Sequence, residues 1–332
     1  MQSVTQRLSR STPRSLHQRP SRLAFSMIEL MVVITIIAIL VSLLLVGVQS
    51  AMNAARTATV VVELQQLEKG IADFKAKFGT EPPSGIILFE AAAGWAGSAP
   101  SAALVGRSRA AVRQIWPDFD FTLARDINDD GDSTDTITLN GAECLVFFLG
   151  GVPDQTGVTD NPWAPLGFST NPLNPFARGG TRHGPFHTFD VGRLRNLEGM
   201  TTTLDPEFMP EFTDQIPGQR NPILYASSYG GKGYRDADIQ LTTQATYDAY
   251  ATVPTGFAYY YRRYTGAYPA VVADFTAAPA FNPKSCQLIS PGVDGEYGWG
   301  GVLNTGMSLA EPRPERVQER DNITNFKGGK IN

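Results

Sequence analysis

Cysteine and histidine are scarce in this sequence, with two and three residues respectively among 332. Two cysteines cannot supply the thiolate clusters that hold structural zinc or iron–sulfur groups. The nucleophile-elbow pattern G-x-S-x-G and the phosphate-loop pattern G-x(4)-G-K-[ST] are also missing from the chain. The sequence therefore contains no recognisable catalytic constellation, and we expect the chain not to be an enzyme.

The two cysteines, Cys144 and Cys286, leave two alternatives open. If the body of the protein lies outside the cytoplasm, an oxidising compartment permits a disulfide between them. Otherwise they are two buried free thiols, a common state for unpaired cysteine. The sequence alone does not bring the two within bonding distance.

Acidic residues are absent from the first 24 positions, which contain five arginines: Arg7, Arg10, Arg14, Arg19 and Arg22. The rest of the chain is more acidic than the formal net charge of −4 indicates, because all 32 acidic residues follow this segment. A surface of that sign does not neutralise phosphate groups, so we expect no nucleic-acid partner.

A long apolar run follows the arginines, and residues 25–48 contain a single charge, Glu29. As a helix with a rise of ~1.5 Å per residue, this run is long enough to cross ~30 Å of hydrocarbon. Because the arginines precede it, the positive-inside rule predicts one membrane span with a cytoplasmic amino terminus. A carboxylate in such a span costs ~2.5–3.5 kcal/mol, so Glu29 either reaches the membrane edge or pairs with a cation.

Residues 24–34, Ala-Phe-Ser-Met-Ile-Glu-Leu-Met-Val-Val-Ile, resemble the processing motif of type IV prepilins. The resemblance implies that a prepilin peptidase cuts between Ala24 and Phe25, removes the cytoplasmic leader 1–24 and methylates the new amino terminus. It also implies that Glu29 neutralises the terminal amine of an adjacent subunit during assembly.

Two positions depart from the family pattern: Ala24 replaces the usual Gly, and Ser26-Met27 replaces the commoner Thr-Leu. A prepilin-like chain is expected in the bacterial inner membrane, with its carboxy-terminal domain on the periplasmic side. The implied partners are other pilin or pseudopilin subunits, the prepilin peptidase, the inner-membrane assembly platform and membrane lipid.

The helix is expected to continue beyond the membrane span. Apolar residues recur every three or four positions, at Val60, Leu64, Leu67, Ile71, Phe74 and Phe78. This period predicts one apolar face, and Gly79 with two prolines soon after it ends the helix. The sequence therefore predicts a membrane half at 25–48, an amphipathic half at 49–78 that needs a partner, and an extracytoplasmic globular domain at 79–332.

The expected fold class is α+β, with the long amino-terminal helix packed on an antiparallel β-sheet domain that carries large loop-rich insertions, as in pilins. Short apolar runs between Gly, Pro, Asn and Asp favour strands over helices after residue 83. An alanine-rich helix is expected within 91–113. The predicted strands are 136–139, 144–149, 223–229, 257–264 and 287–290.

An acidic stretch places oxygen-bearing side chains at alternate positions, namely Asp126, Asn128, Asp130 and Asp132. This spacing, with Gly131 at the sixth position, resembles a calcium loop. An EF-hand would have Glu at the twelfth position, where this chain has Ile137. A calcium-binding loop and an acidic solvated turn both remain open.

The loop 290–298 followed by Asp321 resembles the carboxy-terminal end of the major, G-type pseudopilins of type II secretion. The resemblance implies a structural calcium ion held by Asp294 and Asp321, although the segment 300–320 is longer than the family usually has. The alternative is that Asp294-Gly295 is an ordinary hairpin turn.

Two functions remain open. The first is a structural subunit of a type II secretion pseudopilus or type IV pilus-like filament. The second is a prepilin-type anchor that carries an independent extracytoplasmic domain for binding a ligand or carbohydrate. Whether the body packs on the helix at 50–78 discriminates between them.

Overall fold

The computed structural model describes residues 26–154, 164–195, 209–235, 238, 258–264, 279–297, 300–304 and 314–331. The chain divides into two compact units, Met1–Ala51 and Met52–Asn332. Helix α1, Met27–Phe78, begins in the first unit and ends in the second. The fold class is α+β, as predicted, with a long apolar amino-terminal helix and a carboxy-terminal region of antiparallel sheet and loops.

The other helices are short, and the strands in the described residues have two to seven residues each. The helices are α2 (Ala92–Ala96), α3 (Ala102–Ile115) and α4 (Gly141–Gly150), with 3-10 turns at Val191–Arg193 and Pro314–Asp321. The strands are β1 (Ile86–Phe89), β2 (Thr136–Leu139), β3 (Pro153–Asp154), β4 (Ala164–Pro165), β5 (Phe168–Ser169), β6 (Arg182–His183), β7 (Leu194–Arg195), β8 (Glu211–Phe212), β9 (Leu224–Ser227), β10 (Ala258–Tyr264), β11 (Cys286–Ser290), β12 (Gly300–Asn304), β13 (Ile323–Thr324) and β14 (Gly329–Lys330).

The largest sheet among the described residues has four antiparallel strands in the order β14-β13-β11-β9. Strands β1 and β2 form a separate antiparallel pair, and three further antiparallel pairs have two residues per strand. Strands β10 and β12 pair in parallel. The antiparallel expectation therefore holds for most of the described sheet region, and the parallel pair is an exception to it.

The carboxy-terminal half of α1 has the apolar face that its sequence period predicts. Val60, Leu64, Leu67, Ile71 and Phe74 are all buried in the main hydrophobic core, and Phe78 packs at its edge. A side chain at Gly70 would come within 3.2–3.3 Å of the Phe186 carbonyl oxygen and of side chains beside it, so this glycine permits a close approach to the helix. The body of Met52–Asn332 is thus built around this stretch of α1.

A buried ion pair fixes the same stretch of α1. Glu63 is 3% exposed, and its Oε1 accepts a hydrogen bond of 2.5 Å from Nη2 of Arg193 and one of 3.3 Å from Gln215. The Arg193 guanidinium also lies 4.3 Å from the ring centre of Phe212. A buried carboxylate must be paired, so these contacts set the position of α1 against the loops that follow residue 190.

The strand predicted at 144–149 is wrong, because these residues lie in helix α4. Asn140 and Glu143 form a capping box at its start: Oδ1 of Asn140 accepts from the Glu143 amide at 3.0 Å, and Oε2 of Glu143 accepts from the Asn140 amide at 2.7 Å. The following residues are apolar on every face because nearly the whole helix is buried. An all-apolar run does not distinguish a buried helix from a buried strand. The capping-box residues before the run are the feature that indicates a helix.

The helix predicted within 91–113 is present as two helices, α2 and α3. Ser101 caps the amino terminus of α3, where its hydroxyl accepts a hydrogen bond from the Leu104 amide at 3.2 Å. The other four predicted strands coincide with β2, β9, β10 and β11 to within a few residues at each end.

The two cysteines are buried free thiols, so the disulfide alternative is not the one in the structure. Cys144 lies in α4 with its Sγ 3.7 Å from the Leu139 carbonyl oxygen. Cys286 lies in β11, and its Sγ accepts from the Ser285 hydroxyl at 3.9 Å. Burial raises the pKa of Cys286 to about 12 and raises the pKa of Cys144 well above its ordinary value.

Glycines allow main-chain segments to cross in contact after α4. Gly151 has φ +95°, and an added Cβ there would lie 2.2 Å from Cα of Gly167. Gly167 has φ +76°, and its Cβ would lie 2.5 Å from the His183 carbonyl oxygen and 2.8 Å from the carbonyl carbon of Gly184. The Gly167 amide donates to the Gly150 carbonyl at 2.8 Å. The two segments therefore contact each other through main-chain atoms, with no space for a side chain between them.

Replacement of Gly151 by Ala is expected to lower the free energy of unfolding by about 3 kcal/mol, because it adds a backbone clash to the cost of a positive φ. Gly218→Ala is the matched control, since Gly218 has φ +86° but no atom within 4 Å of the position that an added Cβ would take. The control is expected to lose only about 1 kcal/mol. Chemical denaturation of the detergent-solubilised chain measures both, and equal losses would contradict the crossing.

Both thiols are expected to resist alkylation by iodoacetamide at neutral pH in the folded chain, because the thiolate is the reactive form and burial disfavours it. After denaturation without reductant, mass spectrometry should find two alkyl groups per chain. A denatured chain that accepts none before reduction would show that Cys144 and Cys286 are linked after all.

Candidate functional site

The predicted cleavage junction, Ala24 and Phe25, lies outside the described residues, as does the leader 1–24. The described part of the chain begins at Ser26, and α1 begins at Met27. Cleavage and methylation at this junction therefore stay predictions from the sequence. The start of α1 directly after the junction is the first candidate site with a defined geometry.

Glu29 lies in the first turn of α1 and forms a capping box with Ser26. Its Oε2 accepts a hydrogen bond of 2.9 Å from the Ser26 amide, and the Ser26 hydroxyl accepts one of 3.3 Å from the Glu29 amide. Two of the amides that a helix start leaves without an intrahelical partner are thereby satisfied. The carboxylate also lies at the positive end of the helix dipole, which favours an anion there.

The residues that follow Glu29 form an apolar surface on every side of α1. The large hydrophobic side chains of 27–48 are between 43% and 82% exposed, and Glu29 is the only charged residue among them. Among the described helices, Met27–Phe78 is the one long and apolar enough to cross a membrane. Single-pass anchoring accounts for this exposure, because lipid chains would surround the apolar side chains that are otherwise exposed to water.

The second candidate site is the carboxy-terminal loop, where the structure brings Asp294 and Asp321 together. Oδ2 of Asp321 accepts hydrogen bonds from the amides of Val293 at 2.5 Å and Asp294 at 3.1 Å. A side chain at Gly292, which has φ +74°, would lie 2.3 Å from the Asp321 carbonyl oxygen. Gly292 is thus required by the close packing of this loop against Asp321.

The charges in this loop repel one another. Partial removal from water raises the pKa of Asp294 to about 6, and the nearby carboxylates of Asp321 and Glu296 contribute in the same direction. No ion pair between described residues involves Asp294 or Asp321. An oxygen-rich, negatively charged pair of this kind fits a hard cation such as calcium.

Polar side chains from the neighbouring loop hold the carboxy-terminal loop in place. Gln219 donates to the Gly292 carbonyl at 3.0 Å, and Asn221 donates to the Gly295 carbonyl at 2.6 Å. At the start of the loop, the Ser290 hydroxyl donates to buried Asp214 at 2.5 Å. The backbone around the two aspartates is therefore fixed by contacts within the chain itself.

In the acidic stretch at 126–135, the predicted ligand Asp126 has partners within the chain itself. The carboxylate of Asp126 accepts from the amides of Asp129 at 2.6 Å and Gly131 at 3.2 Å, and it lies 3.8 Å from Nη2 of Arg178. Arg178 also pairs with Asp129 at 3.0 Å. The first predicted ligand thus serves to shape the turn and to pair with an arginine.

A different group of three carboxylates converges at the other end of this stretch. One carboxylate oxygen from each of Glu90, Asp132 and Asp135 lies within 4.8 Å of the other two. Asn128 and Asp130 stay close, since the Asn128 side-chain amide donates to Asp130 at 3.1 Å and to Asp135 at 2.9 Å. Of the three carboxylates among the predicted ligands, Asp132 belongs to the converging group.

Sequence reasoning missed Glu90 because this residue lies far from the acidic stretch along the chain. It follows β1 directly, is fully buried, and accepts amide hydrogen bonds from Ile127 at 2.5 Å and Asp135 at 3.3 Å. Burial raises the pKa of Glu90 to about 7. The one available signal was a glutamate at the end of the apolar run Ile-Ile-Leu-Phe, where a charge needs a specific partner.

Comparison with known proteins adds one match. Residues 19–45 match the family described as the prokaryotic N-terminal methylation motif. No curated protein and no solved structure matches the chain. The match covers the predicted junction, Glu29 and most of the apolar run, and it leaves the body of the chain unassigned.

Calcium is expected to raise the free energy of unfolding of the chelator-treated chain by about 2.7 kcal/mol when its free concentration exceeds Kd about 100-fold. Asp294→Asn and Asp321→Asn should each remove that response, because each deletes a predicted ligand. Asp126→Asn is the control, since Asp126 already pairs with Arg178, and it should leave the response intact. Thermal unfolding with and without calcium measures the effect.

Loss of the calcium response in Asp132→Asn, with the response kept in Asp294→Asn, would transfer the site to the group around Glu90. An unchanged melting temperature in the unsubstituted chain would leave both loops as ordinary acidic turns.

Proposed function

We propose that the chain is a structural subunit of a type II secretion pseudopilus or a type IV pilus-like filament. The amino terminus of this chain is that of a type IV prepilin-like protein. In this proposal a prepilin peptidase cleaves between Ala24 and Phe25 and methylates the new terminus. Mature subunits then assemble through α1. The methylation motif at residues 19–45, which leads directly into a single long apolar helix, is the observation that carries the proposal.

The packing of α1 supports a filament subunit over an anchor with an independent domain. Val60, Leu67 and Phe74 have no exposed surface, and Glu63 is held by the buried pair with Arg193. A domain that stood apart from its anchor would leave these side chains without a cover. The amphipathic half of the helix is instead the centre of the body's own core.

The proposed location is the bacterial inner membrane, with one span, a cytoplasmic leader and a periplasmic body. The leader's five arginines and the absence of acidic residues before Phe25 support this orientation. The proposed partners are the peptidase, other pilin or pseudopilin subunits, the inner-membrane assembly platform and lipid. The proposed role is structural, and it requires no catalytic group.

The carboxy-terminal loop favours a pseudopilin over other pilin-like proteins. Asp294 and Asp321, predicted as calcium ligands from the resemblance to the major pseudopilins, are neighbours in the structure although 26 residues lie between them in sequence. Structural calcium at this pair is part of the proposal. Because thermal unfolding with calcium needs no filament, it tests this part separately from the assembly role.

Intact-mass and amino-terminal peptide analysis of the membrane-extracted protein from its native host tests the proposal. The expected mature chain begins at N-methylated Phe25, and it is lost in a strain without prepilin peptidase. A chain that still begins at Met1, or one cut beyond Val48, would contradict the assignment.

Glu29→Ala is expected to leave cleavage intact and to reduce the recovery of assembled subunits by at least about tenfold, because an unpaired amine would then enter the apolar filament core. Ser42→Ala is the matched control. Its hydroxyl bonds the Ile39 carbonyl of its own helix, at 2.8 Å, so assembly should be unchanged. Quantitative immunoblots of sheared filaments and of membranes supply the ratio.

A further inference from the structure

Ser26 holds Glu29 in place before any second subunit is present. The two side chains and the two amides of the capping box all belong to one chain, and the hydrogen bonds measure 2.9 Å and 3.3 Å. The box uses the Ser26 amide, which is a peptide nitrogen both before and after cleavage between Ala24 and Phe25. It uses no atom of the leader, so the proposed processing leaves it intact.

The box engages one oxygen of the Glu29 carboxylate and leaves the other for a second donor. Oε2 accepts from the Ser26 amide, while a carboxylate can accept at both oxygens. In an apolar surrounding, a side chain with several rotatable bonds loses rotamer freedom when it pairs. A glutamate already held at one oxygen has lost part of that freedom before its partner arrives.

We propose that Ser26 is a positioning residue for assembly. Its hydroxyl accepts from the Glu29 amide and so fixes the first turn of α1, in which the Ser26 amide holds one oxygen of the Glu29 carboxylate and the other oxygen pairs with the terminal amine of a second copy of this chain. The inference rests on the proposed function and deepens it. It assigns to the hydroxyl of residue 26 a role that acts through Glu29 and does not require contact with the second copy.

The residue type at position 26 is constrained by this role. The hydroxyl accepts from the Glu29 amide, so Thr can replace Ser, whereas Val has the shape of Thr without the acceptor. Alanine also removes it. Loss of a cap of this kind corresponds to roughly a fivefold change in an equilibrium. The expected order of assembly is Ser and Thr together, followed by Val and Ala together.

The experiment expresses the full-length chain with Ser26→Thr, Ser26→Val or Ser26→Ala in the native host. Mass spectrometry gives the fraction cleaved, and assembly is measured as sheared filament per mature subunit, so that an effect on the peptidase is removed by normalisation. Thr35→Ala is the control for a lost hydroxyl in the same helix, because Thr35 bonds the Met31 carbonyl at 2.7 Å. It should assemble as the unsubstituted chain does.

A second readout reports on Glu29 itself. The mature chain, labelled with ¹³C at glutamate carboxyl carbons and placed in lipid nanodiscs, should give a Glu29 resonance that Glu29→Gln identifies by its loss. That resonance is expected to move in Ser26→Ala and Ser26→Val and to stay in Ser26→Thr. A role of Ser26 in general helix stability alone would not single out this carboxyl carbon.

Roughly fivefold lower assembly per mature subunit in Ser26→Ala and Ser26→Val, with recovery in Ser26→Thr and a matching shift of the Glu29 resonance, supports the positioning role. Equal assembly of all variants, or a resonance that does not respond, overturns it while the proposed function stands. If the unsubstituted chain is neither cleaved nor assembled, the proposed function itself fails.

Discussion

The apolar face of α1 between Val60 and Phe74 must be covered, and the body of Met52–Asn332 depends on how it is covered. The ring of Phe74 packs against two other aromatic rings. Its centre lies 5.8 Å from the ring centre of Phe148 in α4 and 5.4 Å from that of Phe186. Burial of one large apolar side chain contributes about 1.5–3 kcal/mol, so the five buried apolar residues of this face together contribute on the order of 10 kcal/mol. Helix α4 is apolar on every side because it lies between this face and the four-stranded sheet region.

Buried carboxylates fix how the other segments are positioned along α1, which apolar contacts alone do not determine. Glu63 pairs with Arg193, and Glu81, just beyond the end of α1, accepts from Lys75 at 2.8 Å and from the Gly230 amide at 3.2 Å. Asn325, near the carboxyl terminus, donates to the partly buried Glu68 at 2.7 Å. Apolar surfaces tolerate sliding, but a buried carboxylate without its partner costs several kcal/mol, so these contacts select one arrangement of distant segments around the helix.

The parts of this protein that were predictable from sequence are those with a regular period or a specific motif. The apolar face of α1 follows from its period, and the end of the helix follows from Gly79. Helix α4 was predicted as a strand because total burial removes the period, although the Asn140–Glu143 cap was present in the sequence. Glu90 could not be assigned to the acidic stretch, because only the pairing of β1 with β2 brings it there.

The two acidic loops are both rich in carboxylates in sequence, but the fold gives them different neighbours, which the sequence does not reveal. Arg178 reaches Asp126 and Asp129 from a distant loop and neutralises one end of the first. Asp294 has two neighbours of its own sign, Asp321 and Glu296. Like charges held together by backbone hydrogen bonds raise the free energy of the folded chain unless a cation joins them. Each loop therefore holds like charges whose repulsion a cation would relieve: Asp294 with Asp321 and Glu296 in one, and Glu90 with Asp132 and Asp135 in the other. In both loops the fold brings together carboxylates that lie apart along the chain, which spacing in the sequence does not reveal.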